Sequence, residues 1–167
     1  NFCEANNKHL KGKKNMPSHT MELPRQIVVG EKNIDSVGSF LNSLKKTKKI
    51  SLVSGSNVKK IVQKKIEASL IASKIKCYWY LAKTNDQKTI QDIEKKVRQN
   101  KSELVIGIGG GRSVDIAKLI GFNLNKPFVS IPTSASHDGI ASPFVSVKGD
   151  KPHSLVATAP LGVFVDV

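Results

Sequence analysis

The sequence predicts an α/β fold, a parallel sheet with helices on both faces, and three observations carry that reading. Short apolar runs recur at residues 27–29, 50–53, 77–81, 104–108 and 128–131. Between them lie longer stretches with apolar residues at helical spacing. The runs are continuous rather than alternating, which suits strands buried on both faces, as in parallel sheets. With 167 residues the chain is about one domain long and can bury a real core.

Residues 1–20 show no periodicity and read as a disordered tail or a non-native extension, with Met21 a more natural beginning. Ile27-Val28-Val29 is a strand stopping at Gly30. Ile34, Val37, Leu41 and Leu44 follow at helical spacing, with Asn33 as the expected N-cap. Strand 50–53 closes on Ser54-Gly55-Ser56-Asn57. The next helix carries Val58, Ile61, Val62, Ile66 and Leu70 on its apolar face, and Lys59, Lys60, Lys64 and Lys65 cover the other. Strand 77–81 runs through the polar turn Thr84-Asn85-Asp86 into a helix marked by Ile90, Ile93 and Val97. After strand 104–108 and its glycines comes a helix with the stripe Val114, Ala117, Ile120 and Leu124. Strand 128–131 follows. Lys148-Gly149-Asp150-Lys151, between 143–147 and 155–158, has a turn composition that predicts a β-hairpin near the C-terminal end. Gly162 to Val167 reads as one more strand. Taken together, the pattern is a Rossmann-like sheet with an added hairpin.

The most informative stretch is Leu-Val-Ile-Gly-Ile-Gly-Gly-Gly-Arg-Ser-Val-Asp-Ile-Ala-Lys, residues 104–118. A buried strand, then Gly109, Gly110 and Gly111, then a helix start is a phosphate-binding arrangement. Backbone without Cβ atoms can turn sharply and admit an anion, and first-turn amides and the helix dipole favour negative charge. The spacing is not the usual dinucleotide fingerprint: counted from Gly107 the last position is Arg112, and from Gly109 it is Val114. The motif therefore specifies phosphate without specifying which nucleotide. Ligands in parallel sheets sit at the carboxyl ends of the strands. That rule gathers 54–57, 109–113 and 132–138 on one edge, as a nucleotide site would require.

Residues 132–143, Pro-Thr-Ser-Ala-Ser-His-Asp-Gly-Ile-Ala-Ser-Pro, form the second informative stretch. The hydroxyls of Thr133, Ser134, Ser136 and Ser142 suit cofactor phosphate or carboxamide, and Asp138 suits substrate hydroxyls. On residue type alone, Ser136 or Asp138 capping a helix near Gly139 accounts for the loop equally well. His137 by itself is better read as a solvated loop residue than as a catalytic one. Asp115 suits the positive end of the helix and would repel a pyrophosphate, so it is expected to orient loop amides or the nicotinamide part. Arg112 and Lys118 have the charge to neutralise phosphate, although Lys118 lies far enough along the helix to be simply exposed.

The formal net charge of +14 raises the question of a nucleic-acid partner. Its distribution argues against one, because residues 44–101 hold 16 Lys/Arg against 4 Asp/Glu, whereas residues 102–167 hold 5 of each. The surplus lies along two predicted helices, opposite their apolar stripes and away from the glycines. Aromatic residues there are confined to Tyr78, Trp79 and Tyr80, inside a strand pattern. A solvated lysine-rich face, with no nucleic acid bound, is the expectation. No apolar run approaches the ~20 residues of a membrane span, so no membrane insertion is expected. The first residues lack the apolar core of a secretory signal. Cys3 and Cys77 are too few for a disulfide framework and lack metal-ligand spacing. A reducing, cytoplasmic setting is expected.

Gly-Gly-Gly-Arg-Ser-Val-Asp-Ile-Ala-Lys at 109–118 and the 132–143 segment together resemble the sn-glycerol-1-phosphate dehydrogenases. These enzymes belong to the glycerol dehydrogenase, iron-alcohol dehydrogenase and dehydroquinate synthase superfamily. Lys151-Pro152-His153-Ser154 and Ala159-Pro160-Leu161-Gly162-Val163 are similar as well. The likeness runs from about Met21 to Val167 and covers the family's nucleotide-binding domain. It implies that Gly111, Arg112, Ser113, Val114 and Asp115 form a cofactor loop. Thr133, Ser134, Ala135 and Ser136 then form a second cofactor segment, Ser142 adds a contact, and Asp138 binds substrate. It further implies reduction of dihydroxyacetone phosphate to sn-glycerol 1-phosphate by NADPH or NADH, for archaeal-type phospholipid synthesis, in a homo-oligomer.

The same resemblance implies a catalytic zinc held by an aspartate and two histidines of a helical C-terminal domain. Those ligands are expected beyond Val167, so no residue here is assigned to metal. Residues 21–167 are then expected to be a truncated nucleotide-binding domain without turnover. NAD-selective relatives place an acidic residue at the end of the strand equivalent to 50–53. Ser54-Gly55-Ser56-Asn57, followed by Lys59 and Lys60, repels no 2′-phosphate, so NADP(H) should be accepted alongside NAD(H). Alternatives are a glycerol or related polyol dehydrogenase, or a nucleotide-binding module without catalysis.

Overall fold

The computed structural model describes residues 23–133, 144–147 and 153–166. The expectation for residues 1–20 lies outside them. Eight strands and four α-helices follow in order: β1 (Gln26–Gly30), α1 (Val37–Leu44), β2 (Lys49–Ser54), α2 (Ser56–Ala72), β3 (Lys76–Leu81), α3 (Gln87–Gln99), β4 (Leu104–Gly109), α4 (Gly111–Asn123), β5 (Phe128–Pro132), β6 (Phe144–Val147), β7 (His153–Val156) and β8 (Gly162–Asp166).

Six strands form one sheet in the order β1-β8-β5-β4-β2-β3, and every pairing in it is parallel. β6 and β7 pair antiparallel as the expected hairpin, with Phe144 opposite Val156 and Val147 opposite His153. The central strands β4 and β5 are buried at every position, which is why their sequences run apolar without alternation. The last strand is not an appendage. β8 inserts between β1 and β5, where Phe164 is fully buried with its ring centroid 5.1 Å from that of Phe40.

Helices cover both faces, as expected. On one face Phe40 and Leu41 of α1 and Ile66 and Leu70 of α2 pack on Leu52, Ile106 and Val129. On the other, Ile90, Ile93 and Val97 of α3 and Val114, Ala117 and Ile120 of α4 pack on Val53, Val105 and Phe128. The lysines of the predicted polar face, Lys60, Lys64 and Lys65, are exposed on α2.

The final strand, expected to run from Gly162 to Val167, is formed at every described residue of that span, Gly162 to Asp166, and Val167 lies outside the described residues. Three local expectations need correction. Asn33 does not cap a helix; it opens a short 3-10 turn, Asn33–Ser36, that precedes α1. Its N–H donates to Asp166 Oδ1 at 2.6 Å, so the β8 carboxylate, distant in sequence, fixes this entry. Ile61 is 78% exposed rather than part of the apolar face. At about 100° per residue it stands half a turn around α2 from the buried Leu70. Lys118 is fully buried instead of exposed. The cause is the position of α4, enclosed by β2, β4, β5, α3 and β6, which buries nine consecutive residues from Ser113 to Gly121.

Candidate functional site

Strand order decides where a ligand can enter. From β2 the chain crosses through α2 to β3 on one side, whereas from β4 it crosses through α4 to β5 on the other. β2 and β4 are neighbours, with Ser54 opposite Ile108 at their carboxyl ends. The two helices cover opposite faces, so a crevice opens between their N-termini, the switch point at which open α/β sheets bind ligands.

Both helix starts are bare. Gly55 is the N-cap of α2 and Gly110 that of α4, and neither receives a side-chain cap. α3 differs: Asp86 accepts a hydrogen bond from the Thr89 N–H at 2.9 Å. Gly55 (φ −73°) and Gly110 (φ −78°) have extended backbones open to any residue. A Cβ at either would meet nothing within 4 Å. Neither conformation nor packing within the described protein calls for glycine there; what the missing side chains leave is open space over first-turn amides, which suits an anion.

The other glycines of the stretch answer to the protein itself. Gly109 has φ +124°, a region L side chains rarely adopt, and makes the turn from β4 toward α4. Gly107 lets α4 approach the sheet, since its Cβ would lie 2.8 Å from Val114 Cα. The glycine-rich sequence therefore combines turn, packing and ligand space at different positions.

The expected site residues divide by placement. Gly111 and Arg112 open α4 at the crevice, and Arg112 is exposed. Ser113 and Val114 are buried, and Val114 packs in the core beneath β4, so contact with a ligand is left to its backbone. Asp115 is buried beside Lys118, 4.0 Å from carboxylate to ammonium. Burial lowers the Lys118 ionisation below its ordinary value, and the Asp115 charge opposes that shift. Thr133 lies at the crevice rim, its N–H donating to the Gly109 carbonyl at 3.1 Å, which ties the end of β5 to the glycine turn. Ser134, Ala135, Ser136, His137, Asp138 and Ser142 lie outside the described residues.

A cavity of about 360 Å³ continues the crevice over the ends of β2 and β3, lined by Gly55, Ser56 and Asn57 on one side and Lys83 and Arg112 on the other. Lys83 was not anticipated. It lies far from residues 54–57 in sequence, and only the parallel pairing of β2 with β3 sets the two loops side by side. Lys59, the cation expected there, instead stands over the Trp79 ring, 5.6 Å from its centroid. Among the described residues no group of three or more His, Cys, Asp or Glu is placed to hold a metal ion. The ligands expected beyond Val167 fall outside those residues. Among the described residues, too, no helix is long and apolar enough to cross a membrane.

The profile of the iron-containing alcohol dehydrogenase family matches residues 28–167. A glycerol-1-phosphate dehydrogenase (NAD(P)+) of Nitrosopumilus maritimus is 62% identical over 157 residues, which are 94% of this chain and 44% of that protein. The enzyme of the same name from Cenarchaeum symbiosum is 58% identical over 156 residues, 93% of this chain and 44% of its own length. The chain thus spans less than half the length of these relatives. Among solved structures, glycerol dehydrogenase of Schizosaccharomyces pombe shares the fold with a TM-score of 0.81 at 21% identity, over 89% of this chain and 39% of that one. By its sequence, the chain belongs to the iron-containing alcohol dehydrogenase family.

Proposed function

We propose that this chain is the dinucleotide-binding half of an NAD(P)-dependent glycerol-1-phosphate dehydrogenase. The observation that carries the reading is the pair of bare helix starts at Gly55 and Gly110, facing one crevice at the switch point. The names of the relatives at 62% and 58% identity support the substrate and the cofactor pair.

In this reading the first-turn backbone of Gly111, Arg112 and Ser113 holds the pyrophosphate, with the α4 dipole and those N–H groups opposing its charge. The α2 start and the cavity beyond it take the adenosine end. Asp115, held near Lys118, contributes by positioning rather than by touching phosphate. Thr133, Ser134, Ala135, Ser136 and Ser142 border the nicotinamide end, and Asp138 accepts hydrogen bonds from the substrate hydroxyl. The bound NAD(P)H supplies the hydride that reduces dihydroxyacetone phosphate. A zinc ion, the Lewis acid implied by the resemblance, has no ligand set among the described residues, and no step is assigned to it. The intact protein would be a cytoplasmic homo-oligomer serving archaeal-type phospholipid synthesis.

The test is equilibrium titration of the full-length gene product with NADPH and NADH, followed by assay with dihydroxyacetone phosphate. Saturable binding of a dinucleotide and its substrate-dependent oxidation are expected. Absence of dinucleotide binding at millimolar concentration overturns the reading.

A further inference from the structure

We propose that Lys83, with Arg112 beside it, is the seat of the 2′-phosphate of NADP(H) and sets the cofactor preference of the site. This rests on the dinucleotide reading above. Lys83 follows β3, whose last paired residue, Leu81, lies opposite Ser54. The Ala82 N–H donates to the Ser54 carbonyl at 2.9 Å, extending that pairing by one residue. The chain after β3 is thereby held level with the Gly55–Asn57 turn, and Lys83 lines the same cavity as Ser56 and Asn57. Arg112 Nη1 donates to the Lys83 carbonyl at 3.1 Å, which fixes the backbone of Lys83 and sets a second cation against it.

The charge balance of the cavity points to a phosphate rather than to a bare ribose. A site selective for NAD presents a carboxylate to the ribose hydroxyls, and that carboxylate repels a 2′-phosphate. Among the described residues the lining here includes two cations and no Asp or Glu. The nearest acid along the chain, Asp86, is engaged in capping α3 through Thr84 and the Thr89 N–H. A phosphate monoester carries nearly two negative charges at neutral pH and accepts several charge-assisted hydrogen bonds. Lysine supplies a mobile point charge with three donors, and the anchored arginine keeps further N–H groups. Ser56 and Asn57 add neutral donors of the kind a ribose phosphate takes.

The experiment titrates the full-length gene product, wild type, Lys83→Gln and Lys83→Glu, with NADPH, NADH and the probe pair adenosine 2′,5′-bisphosphate and 5′-AMP. Lys83→Gln is expected to weaken NADPH and the bisphosphate about tenfold, while NADH and 5′-AMP move less than twofold. Lys83→Glu is expected to turn the preference toward NADH. Equal weakening of both members of each pair, or no change in either, overturns the proposal while leaving the dinucleotide reading intact. Failure of the wild type to bind any of the four overturns the dinucleotide reading and the proposal with it.

Discussion

Val114 stands so close over Gly107 that a Cβ built on the glycine would reach within 2.8 Å of the Val114 Cα. The same Cβ would lie 3.0 Å from the Ala117 side chain and from the Ser113 carbonyl oxygen. The neighbours are largely backbone, which cannot yield by rotating a side chain. Gly107→Ala is therefore expected to push α4 off the sheet and destabilise the protein by about 1–3 kcal/mol. Denaturant unfolding of the variant beside the wild type measures it. An unchanged midpoint would show that α4 is not seated as described.

Gly110→Ala should behave in the opposite way. Its φ of −78° suits alanine, and a Cβ there meets nothing within 4 Å. Stability is expected to change by less than about 1 kcal/mol, because alanine is the poorer N-cap but restricts the unfolded chain. Dinucleotide affinity is expected to fall at least tenfold, because the methyl group occupies the space over the first-turn amides. A thermal melt and a calorimetric binding titration of the full-length protein check the two halves. Undiminished affinity would remove the cradle from the cofactor site.

Lys118 predicts a pH dependence whose sign follows from burial. Its folded ionisation lies below the ordinary lysine value of 10.5 because burial penalises the charge, with Asp115 opposing. Between the lowered folded value and 10.5 the unfolded chain binds more protons than the folded one. The contribution of this lysine to stability therefore rises with pH across that window and is flat below it. Wild type should gain on Lys118→Met in melting temperature as the pH is raised from neutral toward the lysine range. A constant difference would mean that the folded protein does not perturb this group.

Asp86 predicts the acid side. Its carboxyl is held below its ordinary value of 3.8 by the Thr84 hydroxyl first and then by the Thr89 N–H. Stability from the charged cap is fully present above 3.8 and is lost as the pH falls through the lowered folded value. Asp86→Asn keeps an acceptor for the Thr89 N–H without the charge, so its deficit against wild type should shrink in acid. Asp86→Ala should melt lower than Asp86→Asn near neutrality. Thermal melts across the acid range separate the three proteins.

Much of this molecule was legible in the order of its residues. The β4 run, the three glycines behind it and the apolar spacing of Ile90, Ile93 and Val97 are local patterns, and local patterns encode local structure. Alternation of strand and helix implied a parallel sheet, and a parallel sheet implied a ligand at its carboxyl edge. The glycine motif announced phosphate for the same reason, because helix-start amides act over one turn of chain.

What tertiary structure decided was every relationship that crosses the sequence. Strand order placed β8 between β1 and β5, which no periodicity could specify, since a buried strand reads the same wherever it pairs. Enclosure of α4 buried Lys118, a residue whose own chemistry argues for solvent. The pairing of β2 with β3 carried Lys83 to the rim of the cavity, while the expected Lys59 turned to the Trp79 ring. Composition and spacing thus determined the elements and the class of ligand, because these depend on neighbours along the chain. Which side chains meet that ligand depends on neighbours in space, and there the fold alone chose them.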